Sequence, residues 1–176
     1  MMMHPGKKLL FMGSELGMFR EWDHDAELEW FLLDYDMHAK YQLFVAELNR
    51  LYLQNPALWE KDDDPTSFVW IDADNREQSV FSYRRIAKNG DELLVYLNFL
   101  PVARENFLAA VPQKGTYQEV FNSDATEFGG SGTTNPKTLK TQPAMLRGYG
   151  NAVSITLPPM GAVVLKKKKS KLRKFV

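Results

Sequence analysis

A change in hydrophobic periodicity near residues 61–66 constrains the fold of this chain more than any other feature. Between residues 38 and 54, apolar side chains recur every three to four positions, which is the period of an α-helix with one apolar face. Beyond residue 67, apolar and polar side chains alternate, which is typical of β-strands. The segment between them contains three aspartates and a proline. The sequence therefore predicts two parts, 1–60 and 67–165, joined by a linker at 61–66.

The first part is predicted to contain one strand, one polar loop and one helix. Residues 7–12 form a short apolar run that ends at Gly13, a pattern that favours a strand buried on both faces. The helix predicted over 38–54 ends at Asn55, because Pro56 disfavours the helical conformation in the residue before it. A single βα unit cannot bury its own apolar surface, so this part needs something to pack against.

The second part is predicted to be an antiparallel β-sandwich. Asn89-Gly90 is a strong hairpin signal between two of its strands. Apolar side chains on both faces of residues 93–99 indicate a central strand. Residues 123–145 read as a long loop, and loops of this length are typically functional or mobile. The predicted strands are 68–72, 79–87, 93–99, 117–121, 152–157 and 162–165.

The charge distribution argues against a nucleic-acid or membrane partner. The chain has 22 basic and 22 acidic residues, and seven of the basic ones lie in 166–176. A terminal charge run without interleaved aromatic residues is typical of a solvated tail, although it is also compatible with binding to nucleic acid or anionic lipid. With no cysteine, no long apolar run and no signal peptide, the sequence predicts a cytoplasmic protein.

Several motifs in order along the chain carry a resemblance to a known enzyme family. They are HPGKKLLFMGSE at 4–15, REW at 20–22, NFLPV at 98–102, Arg104, EVFNSD at 119–124, GGSG at 129–132 and LPP at 157–159. With them, the sequence resembles the C-terminal part of bacterial 1,4-α-glucan (glycogen) branching enzymes, which are similar to the α-amylases. The resemblance implies a mainly β fold, an antiparallel β-sandwich of the α-amylase C-terminal type at 67–165. Before it, 1–60 would be the last strand, loop and helix of a (β/α)8 barrel, and after it 166–176 would be a basic tail.

The resemblance also implies a function. Branching enzymes of this family cleave an α-1,4 linkage and transfer the released chain to a 6-hydroxyl, with no metal or organic cofactor. Their three catalytic carboxylates sit on earlier barrel strands, and none of the corresponding motifs occurs here. The chain is therefore expected to be a fragment without catalytic residues that stabilises the barrel. Its expected partners are α-glucan, in the intact enzyme, and the missing barrel portion.

The polar loop at 13–25 is the main candidate for substrate contact. Its four carboxylates are compatible with a catalytic pair, but pairing with Arg20 and with backbone donors is the more common role of such groups. The loop follows the predicted strand at its C-terminal end, where barrel enzymes build their active sites. Arg20, Glu21 and Trp22 are therefore candidates to border a glucan cleft, and the alternative is that they fix the loop to the barrel.

Two aromatic residues in polar loops, Trp22 and Phe128, are candidates for stacking on glucose rings. The alternative for each is core or interdomain packing, the more common role of aromatic side chains.

The remaining polar clusters predict no metal or phosphate site. Asp23-His24-Asp25 and His38 lack the spacing and the number of ligands of a metal site. The GGSG motif at 129–132 lacks the lysine and the helix of a phosphate loop, which favours a turn.

Two further functions remain open from the sequence. The β-sandwich is compatible with a stand-alone module that binds α-glucan without chemistry. The chain is also compatible with a subunit that completes a split enzyme in trans, because the apolar helix face formed by Tyr41, Phe44, Leu48 and Leu51 needs a partner surface.

Overall fold

Two antiparallel sheets that share one hydrophobic core form the main body of the protein. The computed structural model describes residues 1–169, and within them one α-helix precedes nine β-strands. The elements are α1 (Asp36–Gln54), β1 (Phe68–Asn75), β2 (Val80–Ile86), β3 (Glu92–Asn98), β4 (Arg104–Val111), β5 (Thr116–Asn122), β6 (Leu139–Lys140), β7 (Gln142–Leu146), β8 (Tyr149–Leu157) and β9 (Ala162–Lys167). The six-stranded sheet has the order β1-β2-β3-β9-β5-β6, and the three-stranded sheet has the order β4-β8-β7. This architecture confirms the predicted antiparallel β-sandwich.

The core between the two sheets is built from alternate residues of the central strands. Leu94 and Tyr96 of β3 belong to it together with Val153 of β8. Leu93 and Val95, which alternate with them along β3, belong to a second cluster on the outer face of the six-stranded sheet. β3 is therefore buried on both faces, which confirms the predicted central strand.

Helix α1 covers part of this outer face. Leu51 is buried in the second cluster, and Phe44 and Leu48 pack against it. This corrects the expectation that the apolar helix face lacks a partner within the chain, although Tyr41 of that face stays 40% exposed. The helix confirms the prediction over 38–54 and begins slightly earlier, at Asp36. Within residues 1–169, the structure contains no helix whose length and hydrophobicity would let it span a membrane.

Asn55 ends the helix where the sequence predicts and ties it to the sheet. Its side-chain nitrogen donates to the carbonyl oxygen of Leu51 at 2.8 Å, which satisfies one of the free carbonyls of the last turn. Its side-chain oxygen accepts a hydrogen bond from Nζ of Lys166 at 2.8 Å. Pro56 then begins a short 3₁₀ turn, Pro56–Leu58.

The strand predicted at residues 7–12 does not form in this structure. The segment has no regular secondary structure, and it pairs with no strand among residues 1–169. Leu9, Leu10, Phe11 and Met12 are exposed. A parallel strand depends on hydrogen bonds to its neighbours, and a segment without such neighbours has no ladder to join.

A buried ion pair joins the first part of the chain to the sandwich. Asp62, in the predicted linker, accepts a hydrogen bond from Nη2 of Arg85 in β2 at 2.6 Å, and both side chains are almost fully buried. The Arg85 guanidinium also donates to the carbonyl oxygens of Leu58 and Met3. The N-terminus, the end of the helical region and the linker therefore meet on one side chain of the sheet.

Three strands, β4, β6 and β7, were not predicted from the sequence. A bulge with Asn106 at φ 52° interrupts the alternating pattern of β4. β6 and most of β7 lie inside the predicted loop at 123–145, which corrects that prediction. Pro143 argues against a strand in the sequence, yet β7 is an edge strand, where proline is tolerated.

The basic run at the end of the chain begins inside the sheet. Lys166 and Lys167 are the last residues of β9 and pair with Gln118 and Tyr117 of β5. This corrects the boundary of the predicted tail at 166–176, and residues 170–176 lie outside the described residues.

The predicted hairpin at Asn89-Gly90 is confirmed, with a wider turn than a two-residue loop. β2 and β3 pair in continuous antiparallel register on either side of it. Gly90 adopts φ 81°, a left-handed conformation that favours glycine. The side chain of Asn89 accepts a hydrogen bond from the backbone nitrogen of Asp91 at 2.8 Å, which holds the turn.

Candidate functional site

The polar loop at 13–25 begins with a short 3₁₀ turn, Ser14–Leu16, bounded by two glycines. Gly13 and Gly17 both adopt left-handed conformations, with φ 79° and 65°. A side chain on Gly13 would also meet the sulfur of Met18 at 2.1 Å, so the loop needs glycine there. Leu16 is fully buried and holds the turn against the rest of the chain.

The loop is fastened to the first turn of α1 by His38. Nδ1 of His38 lies 2.8 Å from the carbonyl oxygen of Leu16, at hydrogen-bond distance. The ring of Phe19 packs edge-on against the His38 ring, with centroids 5.3 Å apart. Gly17 lies against Tyr41, one helical turn further on. His38 is thus a hydrogen-bonded, half-buried residue that positions the loop.

The structure places Arg20, Glu21 and Trp22 together on the exposed side of this loop. The Arg20 side chain is 86% exposed, and its Nε lies 3.7 Å from a carboxylate oxygen of Glu29. Glu21 is exposed. The Trp22 ring packs edge-on against Phe11 with centroids 5.5 Å apart, and 40% of Trp22 remains exposed. These three residues form an accessible ridge with an aromatic ring, a cation and an anion.

Asp23, His24 and Asp25 follow on the same loop. Their potential ligand atoms lie within 4.8 Å of one another, and all three residues are exposed. Nε2 of His24 lies 3.2 Å from a carboxylate oxygen of Asp25, and Nδ1 lies 3.7 Å from Asp23. The histidine is therefore placed to form ion pairs with its two neighbours when protonated.

Phe128 lies outside this loop, on a 3₁₀ turn, Thr126–Phe128, that packs against α1. Its ring stacks on Phe121 with centroids 5.6 Å apart and meets Phe44 edge-on at 5.4 Å. The sequence left open whether Phe128 stacks on a sugar or packs against other aromatic residues. In the structure Phe128 is partly buried against two aromatic rings of the outer-face cluster, which favours packing.

The GGSG motif is a turn built around Asp124, as predicted. The Asp124 carboxylate accepts hydrogen bonds from the hydroxyl and backbone of Ser131 and from the backbone of Thr133. Partial burial acts to raise the pKa of Asp124, but these hydrogen bonds outweigh it and the pKa is lowered. Gly130 lies against the backbone of Asp124, where a side chain would come within 2.3 Å.

An aromatic groove of about 540 Å³ lies on the outer face of the six-stranded sheet, beside the N-terminus. Trp70, Phe81, Tyr83 and Phe99 line it, and Trp70 and Phe99 are each about half exposed. Burial raises the pKa of Tyr83 to about 12. This groove is on the same face as α1, in the part that the helix leaves uncovered.

A polar cleft of about 660 Å³ opens where β1, the start of β4 and the β7–β8 turn meet. Asp72, Arg104, Asn106 and Arg147 line it, and the sequence assigned none of them a role. Nε of Arg147 bonds a carboxylate oxygen of Asp72 at 2.7 Å. Arg147 and Gly148 both have positive φ in a tight hairpin, an unusual Arg-Gly signal that could have located this turn in the sequence.

A third depression, of about 1080 Å³, is lined by the lysines at the end of β9. Lys167 donates to Gln113 at 2.7 Å, Lys168 donates to Thr138 at 2.9 Å, and Lys169 pairs with Asp91 at 3.2 Å. These lysines have polar partners on the sandwich itself.

Comparison with known proteins decides the family. Residues 70–168 match the family described as alpha amylase, C-terminal all-beta domain. This chain belongs to that family. The match begins in β1 and ends just after β9, so the alpha amylase C-terminal all-beta domain corresponds to the sandwich.

The resemblance to branching enzymes extends beyond the all-beta domain. The 1,4-alpha-glucan branching enzyme GlgB of Aromatoleum aromaticum is 48% identical over 162 residues, which cover 92% of this chain and 26% of that protein. The GlgB of Desulfitobacterium hafniense is 48% identical over 166 residues, 94% of this chain and 26% of that protein. The chain thus spans about a quarter of the length of these relatives. A crystal structure of alpha-amylase from H.orenii is similar over 74% of this chain and 20% of that chain, with 17% identity and a TM-score of 0.42.

Proposed function

We propose that this chain is the supporting C-terminal portion of a 1,4-α-glucan branching enzyme and carries no catalytic carboxylate of its own. The observation that carries the proposal is the 48% identity to branching enzymes over 92% of the chain, which includes the region before the all-beta domain. Such an enzyme breaks an α-1,4 linkage and joins the released segment to a 6-hydroxyl. The groups that perform this chemistry belong to the part of the enzyme that this chain does not contain.

The exposed surface of residues 1–60 supports a role in binding that other part. Most of the large hydrophobic side chains that stay exposed among the described residues lie in this region, and Leu9, Phe19 and Leu53 are each at least 71% exposed. Exposed apolar patches of this extent are typical of surfaces that a partner covers. We expect residues 7–12 to form a strand when barrel strands lie beside them, because their apolar run then gains a ladder on both sides.

The aromatic groove extends this surface onto the sandwich. α1 already packs on one part of the outer face, and Trp70, Phe81 and Phe99 leave the adjoining part apolar and accessible. A layer of helices that continues beyond α1 would cover both the exposed surface of residues 1–60 and the aromatic groove. In the assembled enzyme, the sandwich would therefore hold the end of the barrel in place.

The ridge formed by Arg20, Glu21 and Trp22 would then border the glucan cleft. An exposed tryptophan beside a cation and an anion offers a stacking surface and hydrogen-bond partners to a glucose ring. The fixed attachment of the loop to His38 supports this role, because a preorganised loop loses less entropy on binding.

Reconstitution tests the proposal. The chain alone should leave the iodine staining of amylose unchanged. Co-expressed with an A. aromaticum GlgB that lacks the region aligned to this chain, it should co-purify and restore branching. The truncated GlgB alone serves as the control and should be inactive or unstable.

Three results would contradict the proposal or a part of it. Branching by the purified chain alone would show that it carries its own catalytic groups. If a chain with Arg20→Ala and Trp22→Ala restored branching at the wild-type kcat/KM, the loop would serve only in attachment to the rest of the enzyme. If the chain did not co-purify with the truncated GlgB, it would not support the barrel.

A further inference from the structure

The depression at the end of β9, which we call the lysine depression, concentrates positive charge on a concave part of the sandwich. Five lysines line it: Lys114, from the turn between β4 and β5, and Lys166–Lys169. Its other lining residues are two glycines, two threonines, two glutamines and two acidic residues. The lysine depression shares no residue with the loop at 13–25 or with the aromatic groove.

The two acidic residues of the lining compensate only one of these lysines. Asp91 pairs with Lys169 at 3.2 Å. The carboxylate of Glu92 is bonded by Nε of Arg84 at 2.7 Å, and the residue is only 8% exposed. Lys169 is the only one of the five lysines that forms an ion pair among residues 1–169. The other four keep their full positive charge toward the depression.

Three of these four lysines are held in place by neutral acceptors. Their Nζ atoms donate to side-chain oxygens at 2.7–2.9 Å: Lys166 to Asn55, Lys167 to Gln113 and Lys168 to Thr138. A lysine ammonium group has three donors, so each of them keeps two for a ligand. The neutral acceptors fix the ammonium groups without cancelling their charge, which lowers the entropy that is lost when an anion binds.

The chemistry of the lining favours a phosphate ligand. A lysine ammonium group binds phosphate as a point charge and does not require the fixed planar geometry of an arginine–carboxylate pair. The amide and hydroxyl side chains of the glutamines and threonines can donate further hydrogen bonds to phosphate oxygens. Several ammonium groups in one depression of about 1080 Å³ suit a ligand that carries several phosphates in a row.

The shape and composition of the lysine depression favour a phosphate chain without bases over a nucleic acid. Single-stranded nucleic acids gain much of their affinity by stacking bases on aromatic side chains, whereas this lining consists of lysines, small polar residues, glycines and carboxylates. Double-stranded DNA has a persistence length of about 50 nm, so it is too stiff to follow a concave surface of this size. A slender, flexible phosphate chain meets neither obstacle.

We propose that the lysine depression binds inorganic polyphosphate, a linear chain of phosphate groups. Lys114, Lys166, Lys167 and Lys168 contact its oxygens through their free N–H donors. Contact with lysines releases counterions from the polymer, so the affinity falls steeply as the salt concentration rises. The proposal does not rest on the proposed function, because the lysine depression lies outside the candidate site.

Fluorescence anisotropy of end-labelled inorganic polyphosphate, titrated with the full chain, tests this proposal. Wild-type affinity should fall about fiftyfold between 50 and 200 mM salt, the loss expected for four contacts to a single strand of phosphates. A variant with Lys114→Gln, Lys167→Gln and Lys168→Gln should bind about a hundredfold more weakly at about 100 mM salt and lose only about threefold over the same salt range. Lys166 is kept in this variant because it also holds Asn55 at the end of α1.

A charge-matched variant is the control. Lys7→Gln, Arg50→Gln and Arg76→Gln remove three exposed positive charges outside the lysine depression, and this variant should bind polyphosphate like the wild type. Near-UV circular dichroism reports whether each variant is folded. If the triple lysine variant does not fold, the single change Lys114→Gln in the exposed turn decides the question, with an expected loss of about fivefold.

Four results would overturn the proposal. No binding of polyphosphate by the wild type, or wild-type affinity in the folded triple lysine variant, would remove the site. The second result would assign binding to other charges of the chain, such as the three basic residues in 170–176, which all variants keep. An equal loss in the control would reduce the effect to net charge. Tighter binding of duplex DNA or of phosphatidylserine vesicles at the same phosphate concentration would overturn the choice of polyphosphate. None of these results depends on whether reconstitution with GlgB succeeds.

Discussion

Residues 1–60 and the sandwich at 68–167 differ in how far they bury their apolar side chains. The sandwich closes its own core, with Leu94, Val111, Val153 and Leu165 fully buried between its sheets. The first region buries Leu16, Leu32 and Leu51 but leaves many larger side chains in solvent. Of these, Leu51 is buried by the contact of α1 with the outer face of the sheet.

The difference separates a region that closes its own core from one that leaves much of its apolar surface exposed. An antiparallel sheet pair satisfies its backbone and its core within about 100 residues. A single loop and helix cannot do so, because one apolar stripe requires a second layer. The sandwich supplies that layer on one side of α1, and the proposed branching-enzyme partner supplies it for the exposed remainder.

The largest expected effect comes from breaking the contact between the two regions. Arg85→Met leaves the buried Asp62 carboxylate without its partner and should lower the free energy of unfolding by about 3–5 kcal/mol. Urea unfolding gives this value, and limited proteolysis should cut residues 1–60 first. Arg76→Ala, which removes an exposed pair with Asp74, is the control and should cost less than about 1 kcal/mol. An equal loss of unfolding free energy in both variants would contradict the role of Arg85 in joining the two regions.

The next largest effect on stability should distinguish the core between the two sheets from the contact of α1 with the outer face. Leu94→Ala should destabilise the sandwich by about 2–5 kcal/mol, because a buried leucine between the sheets leaves a cavity. Leu48→Ala, at the half-buried contact of α1 with the sheet, should cost less and leave the sandwich transition unchanged. Urea unfolding followed by near-UV circular dichroism compares them. A single shared transition, shifted equally by both variants, would contradict the independence of the sandwich.

A smaller effect is expected at the end of α1. Asn55→Ala removes the hydrogen bond to Leu51 and the acceptor of Lys166, and should cost about 1–2 kcal/mol. Gln54→Ala, exposed one residue earlier, should change stability by less than about 0.5 kcal/mol. Thermal unfolding measures both. If the two variants are equal, Asn55 does not hold the helix to the sheet.

The smallest effect is a pH dependence in the linker. Hydrogen bonds from the Thr66 hydroxyl, from Lys61 and from the Thr66 backbone lower the pKa of Asp64 to about 2. Because the pKa is lower in the folded than in the unfolded chain, the stabilisation is complete above about pH 4 and is lost as the pH falls toward 2. The Thr66 amide shift in NMR should therefore titrate near pH 2, and Asp64→Asn should abolish that titration. A midpoint near pH 4 would contradict the hydrogen-bonded turn.

The sequence predicted those elements whose hydrophobic pattern is uninterrupted. α1 and β3 follow one period from end to end, so their positions are close to those predicted. β4 was missed because the bulge at Asn106 shifts its alternation, and β7 was missed because Pro143 is compatible only with an edge. The strand predicted at 7–12 finds no neighbouring strand among the described residues, and no local pattern reveals whether a strand has a neighbour.

The candidate site was harder to predict from the sequence than the fold, because its residues meet through tertiary contacts. Arg20, Glu21 and Trp22 are adjacent in the chain, so the loop that carries them was found. The covering of Phe128 by Phe44 and Phe121 follows from the packing of α1 on the sheet. The cleft joins residues of β1, β4 and the β7–β8 turn, which only the sheet order brings together.

Hydrogen exchange of the chain, alone and bound to the truncated GlgB, tests the central claim most directly. Alone, β3 should exchange slowly and residues 9–35 rapidly, since the latter have few buried contacts. Binding of the partner should slow exchange in residues 9–35 and along the aromatic groove, and leave the core of the sandwich unchanged. Protection of residues 9–35 in the isolated chain equal to that of β3, or no change in them when branching is restored, would contradict the account.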